Sequence, residues 1–106
     1  MTSRVDRRMT RFWSHSVWRV KAGREDEFVE AWQEFARWSA AQGLRGSARL
    51  LRDVDDPVRF VSFGPWEDLD TVRRWRSEPG FHERVEHLQG LVEGFEPRTL
   101  EQVAEH

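Results

Sequence analysis

The chain has 106 residues and a net charge of −2, which is one domain's worth without the basic excess of a nucleic-acid binder. Cysteine is absent, which excludes disulfides, thiolate nucleophiles and cysteine-ligated metals, and the absence of asparagine and tyrosine removes two usual holders of a ligand oxyanion. Six tryptophans and seven phenylalanines remain to fill a core with few aliphatics or to line a pocket for a flat ligand. No apolar run approaches a membrane span and no apolar signal segment opens the chain, so a cytoplasmic protein with neither membrane nor nucleic-acid partners is expected.

Residues 1–11 carry Arg4, Arg7, Arg8 and Arg11 against Asp6 with no apolar period, which predicts a flexible N-terminal tail ahead of one domain over 12–104. From Phe12 to Val20 the residues alternate. Phe12, Ser14, Ser16, Trp18 and Val20 share one face, and Trp13, His15, Val17 and Arg19 the other, so this strand is apolar on both sides. After the turn Lys21-Ala22-Gly23, three acids at 25–27 favour a helix start, and Phe28, Trp32, Phe35 and Ser39 form a stripe that predicts a helix to about Gln42, ended by Gly43. Gly46–Val54 and Val58–Gly64 read as a hairpin turning at Asp55-Asp56-Pro57. Pro65 followed by Glu67, Asp68 and Asp70 predicts a second helix start, with Trp66, Leu69, Val72 or Arg73, and Trp75 or Arg76 along its face. Ser77-Glu78-Pro79-Gly80 interrupts it, a further helix spans about Phe81–Gln89, and Phe95–Val103 reads as a last strand in which Pro97 suits an edge.

This order is the α+β, ferredoxin-like split β-α-β-β-α-β arrangement: an antiparallel sheet with helices on one face. Trp13 and Val17, with Val61 and Phe63, leave the second face apolar, so a homodimer through sheet-to-sheet packing is expected.

In this order the segments 14–25 (Ser14-His15-Ser16 through Gly23-Arg24-Glu25), 59–67 (Arg59-Phe60-Val61 through Pro65-Trp66-Glu67) and 75–81 (Trp75-Arg76-Ser77 through Gly80-Phe81) resemble the antibiotic biosynthesis monooxygenase (ABM) domain family. The resemblance implies a dimeric α+β barrel with a pocket between sheet and helices in each subunit. It also implies the family's activities: cofactor-independent oxygenation of aromatic polyketides, or haem degradation. Trp66 sits where oxygenase members carry a pocket tryptophan. Polyketide-oxidising members hold substrate oxygens with an asparagine and a tyrosine, neither of which occurs in this chain. Haem-degrading members place an axial histidine four residues after the phenylalanine matching Phe81, where this chain has Val85.

Among residues able to do chemistry, His15 is the candidate acid/base group, because imidazole exchanges protons near neutral pH and its face is apolar. Ser14 or Ser62 stands in for the missing asparagine. Trp66 and Trp75 are expected to shape the cavity, with His82 projecting into it and Arg84 pairing with a ligand anion. His82 and His87 are five apart, about 140° around a helix, so they do not share a metal and no metal site is expected. The reading is a monooxygenase without cofactor, acting on a small aromatic or polyketide-like ligand of secondary metabolism. A non-catalytic dimeric small-molecule-binding module and a haem-binding or haem-degrading monooxygenase are the alternatives.

Overall fold

The computed structural model describes residues 11–106, so the expected tail lies outside the described residues except for Arg11, whose carbonyl accepts from the Gln102 backbone N–H at 2.7 Å. The elements run β1 (Phe12–Val20), α1 (Glu25–Ala40), β2 (Arg49–Asp53), β3 (Asp56–Trp66), α2 (Leu69–Ser77), α3 (Pro79–Gln89) and β4 (Val92–Glu101). The four strands form one antiparallel sheet in the order β2-β3-β1-β4, and all helices cover the face that carries Trp18. This is the ferredoxin-like order expected from the periodicity.

The alternation in β1 decides which side is core. Trp18 and Val20 are buried, and Trp18 stacks on Phe95 of β4 with ring centroids 4.3 Å apart and meets Phe28 of α1 at 5.2 Å. The α1 stripe of Phe28, Trp32, Phe35 and Ser39 is the buried face of that helix. Phe28, fully buried between Trp18 and Phe60, is the change most able to break the packing, since its truncation to alanine costs about 3–5 kcal/mol.

Five boundaries differ from expectation. The hairpin turns at Val54-Asp55, with Asp53 pairing with Asp56, because the Asp53 carboxylate accepts from the Asp55 N–H at 2.8 Å and closes a tighter turn. Pro65 belongs to β3 rather than to a helix. It pairs with Trp13 beyond the last β2 partner and its carbonyl accepts from the Arg45 N–H, so its missing donor costs the ladder little. Helix α2 begins after Asp68, whose carboxylate accepts from the Thr71 N–H and hydroxyl, both at 2.8 Å. Helix α3 starts at Pro79, where a missing N–H is harmless, and β4 starts before Gly94, with a register shift opposite Arg19 and Val20.

The other sheet face has no helix over it. By register it carries Trp13, His15 and Val17 of β1, Val61 and Phe63 of β3, and Leu51 and Leu100 at the edges, with Trp13 and Phe63 in ring contact at 5.8 Å. Among the described residues no helix is long and apolar enough to cross a membrane.

Candidate functional site

Between the covered face of the sheet and the three helices lies a cavity of about 500 Å³ including its mouth. It is a narrow slot rather than an open chamber. Aromatic rings make its walls: Trp18 and Phe95 from the sheet, Trp32 and Phe35 from α1, Trp75 from α2 and Phe81 from α3. Phe81 meets Trp75 edge-on at 4.8 Å and Phe35 at 5.7 Å, which fixes the ring planes without closing the slot.

The polar residues along it are Ser14, His15, Ser16, Ser39, Ser62 and Arg76. Three of these serines are tied to indoles. Trp18 Nε1–H donates to Ser62 Oγ at 2.9 Å, Trp75 Nε1–H to Ser39 Oγ at 2.9 Å, and Trp66 Nε1–H to Ser14 Oγ at 3.0 Å. Indole nitrogen only donates, so each hydroxyl must accept and keeps its own proton to give elsewhere. Ser14 lies 3.4 Å from the Gly64 carbonyl, whereas the Ser39 and Ser62 protons have no acceptor among the described residues. These two hydroxyls are oriented donors for a ligand oxygen.

Among the described residues Arg76 is the one arginine or lysine that lines the cavity. Its guanidinium lies 5.3 Å from the Trp75 ring and donates from Nη2 to the Arg98 carbonyl at 3.1 Å. Its Nε–H is buried without an acceptor, and burial draws its pKa down from the ordinary arginine value. Among the described residues no carboxylate lines the cavity. Among the described residues no group of three or more His, Asp or Glu side chains is placed to hold a metal ion.

The profile of the antibiotic biosynthesis monooxygenase family matches residues 10–87. The chain belongs to that family. The ABM fold is shared with solved structures of low sequence identity. SnoaB, a cofactor-independent oxygenase from Streptomyces nogalater, superposes in a mutant form with a TM-score of 0.80 at 23% identity, over 92% of this chain and 96% of that one. A conserved protein from Methanosarcina mazei Go1 gives 0.78 at 13% identity over 89% and 94%, and a protein from Shewanella oneidensis gives 0.76 at 15% over 88% and 91%. Among curated proteins no sequence matches.

Within this ABM cavity the expected site residues divide. Ser62 and Trp75 line it, and Ser14 does so as well. Trp66 does not: it is fully buried behind the wall, 4.6 Å from the Trp75 ring, and supports Trp75 and Ser14 rather than meeting a ligand. His82 is exposed and touches only the outer edge of Phe81 at 5.8 Å. Arg84 turns outward too, 4.7 Å above the Trp38 ring and donating to the Gly80 carbonyl at 3.2 Å. His15 adjoins the cavity along β1, but strand alternation sends its imidazole to the open face, where it borders a shallow depression with Trp13, Phe63 and Leu100. Its Nδ1 is buried there without a partner.

No imidazole therefore projects from the helix-covered face, and buried Val85 occupies the wall where the family resemblance places an axial histidine. These residues do not fit a haem held by a histidine from within the cavity. Sequence reasoning misses Arg76 because it stands four residues after Val72 on the apolar face of α2, a place where an arginine ordinarily snorkels outward.

Proposed function

We propose that the protein is a cofactor-independent monooxygenase of planar phenolic or enolic, polyketide-like molecules, working as a homodimer. The observation that carries the reading is the slot itself: aromatic walls on both sides, with the Ser39 and Ser62 hydroxyls and the buried Arg76 Nε–H as its available donors. The family membership and the structural likeness to a cofactor-independent oxygenase support it.

Such a substrate supplies the electrons itself. Loss of its hydroxyl proton to water gives an electron-rich anion, one electron passes to dioxygen, and the resulting radical pair joins in a new C–O bond as a peroxide. Protonation and loss of water leave a quinone, so phenol plus O₂ becomes quinone plus H₂O with atoms and electrons balanced. What the protein contributes is a ring held flat, donors on the oxygens that carry charge, and exclusion of bulk water. The homodimer reading rests on the uncovered face of Trp13, Val17, Val61 and Phe63, an area that a second copy would bury.

The test is oxygen uptake with a dihydroxynaphthalene as substrate, together with ¹⁸O₂ labelling. Uptake with one labelled oxygen in the quinone is expected, without added flavin, haem or metal. A second reading, binding without turnover, is favoured by the absence of a carboxylate or an inward imidazole on the cavity wall. Saturable binding of the same compound with no oxygen uptake would select it.

A further inference from the structure

We propose that Arg76 is the anchor of an ionised oxygen, so that the slot selects planar ligands that bind as anions over neutral ones of the same shape. The inference deepens the oxygenase reading and rests on it for the identity of the cavity as a substrate site. Four observations converge on this residue. Arg76 lines the cavity. Its Nε–H is buried with no acceptor, although a buried donor without a partner is rare and unfavourable. Its single protein partner among the described residues is the neutral Arg98 carbonyl, and no carboxylate pairs with it. The slot wall is otherwise apolar rings and hydroxyls, so among the described residues nothing on the cavity side offers the half-buried guanidinium a counter-charge.

Arginine does not escape this by losing its proton, since a guanidinium is far too weak an acid to deprotonate at physiological pH, so relief has to come from outside the chain. A flat ligand bearing a phenolate, enolate or carboxylate oxygen supplies both the missing acceptor and the missing charge. The guanidinium is already held in place from its far side by the Arg98 carbonyl and lies by the Trp75 ring, so little side-chain freedom is lost on binding. The same contact promotes ionisation of a bound phenol, because a neighbouring cation favours the charged form. This assigns activation of the substrate to a fixed cation rather than to a side-chain base.

The probes are 2-hydroxy-1,4-naphthoquinone, which is ionised at neutral pH, and uncharged 1,4-naphthoquinone, each titrated calorimetrically against the wild-type protein, Arg76→Gln and Arg76→Lys. A charge-assisted hydrogen bond lost from the buried site corresponds to roughly a tenfold to hundredfold weakening. Arg76→Gln is expected to weaken the hydroxyquinone by at least tenfold and the neutral quinone by less than about threefold, with Arg76→Lys in between. Equal losses for both probes, or no loss for either, would overturn the proposal. Should Arg76→Gln fold poorly, the wild-type protein still decides: hydroxyquinone affinity must rise with pH through the ionisation of the free compound while quinone affinity stays flat, and a flat hydroxyquinone profile refutes the anchor. Oxygen uptake is read separately. Anion selectivity without turnover removes the oxygenase reading and leaves the anchor standing, whereas turnover without anion selectivity does the reverse.

Discussion

Replacing Trp66 by alanine tests whether this tryptophan is wall or support. The side chain is fully buried, its ring packs on Trp75 at 4.6 Å, and its N–H fixes Ser14 at 3.0 Å. Removing a buried tryptophan costs about 3–5 kcal/mol through lost transfer energy and the cavity left behind. Against a total stability of about 5–15 kcal/mol for a domain of this size, that is about a fifth of the whole or more. At roughly 4–8 °C per kcal/mol the melting temperature should fall by about 12–40 °C, read by circular dichroism or calorimetry. Trp66→Phe keeps a six-membered ring but loses the pyrrole part and its donor, so it should cost less than the alanine, about 1–3 kcal/mol. A Trp66→Ala protein that melts within a few degrees of wild type, yet no longer binds a flat aromatic, would refute the assignment and return Trp66 to the ligand.

Ser62→Ala strands the buried Trp18 N–H and should cost about 1–3 kcal/mol, and the double variant Trp18→Phe/Ser62→Ala should lose less than the sum of the two single variants; additive losses in the denaturation cycle would show that the pair is not coupled. Gly43 has φ +115° and a Cβ there would meet Thr71 Cγ2 at 2.7 Å, so Gly43→Ala should destabilise measurably more than Gly23→Ala, whose Cβ meets nothing within 4 Å. The Thr71 N–H and hydroxyl hold the Asp68 carboxyl below its usual pKa, so its contribution is full above the unfolded carboxylate pKa and is lost as pH falls through the folded value; acid melts of Asp68→Asn should lack that component, and identical acid limbs would remove the cap from the argument. His15→Ala should leave turnover within about threefold while weakening self-association in sedimentation velocity, since the imidazole faces away from the slot; a loss near the hundredfold scale of a missing general base would put His15 back in the chemistry.

Element order and both faces of β1 are legible because period 2 and period 3.6 leave plain marks: Trp18 against Val17, Phe28 against Trp32. Pro65 misleads because proline before acids looks like a helix start from local chemistry alone, while its place in β3 depends on pairing with Trp13, a residue 52 positions away. The same limit applies to the site. Alternation puts His15 on the face with Trp13 and Val17, and only the burial of Trp18 beneath α1 shows that this is the side away from the cavity. Trp66 and Trp75 look alike as aromatic residues of one segment, yet one ends in the second layer and the other in the wall, because the boundary between β3 and α2 lies between them. Ser39 carries a signal in the open: a hydroxyl at the end of an apolar stripe needs a partner, and the Trp75 indole is that partner.

The lack of asparagine and tyrosine bears differently on the chemistry once the indole–serine pairs are in view. An asparagine amide offers a ligand oxygen a donor whose direction is fixed by its own hydrogen bonds. A free serine hydroxyl rotates and gives that direction away, but one that must accept from an indole N–H has its lone pair committed and its proton confined to the remaining arc. Trp18 with Ser62 and Trp75 with Ser39 are two such units on opposite walls of the slot, one on the sheet and one between α1 and α2. Together with the Arg76 guanidinium they give the cavity three donors and a positive charge without any amide or phenol. A site built this way stabilises charge on the ligand but has no side chain to remove a proton. Its rate should therefore follow the acidity of the substrate: across a series of substituted naphthols of one shape, oxygen uptake at fixed pH should rise as the hydroxyl becomes more acidic and level off once the bound compound is fully ionised. An internal base would instead give a pH profile set by the protein and shared by the whole series, and that outcome would count against the arrangement inferred from these contacts.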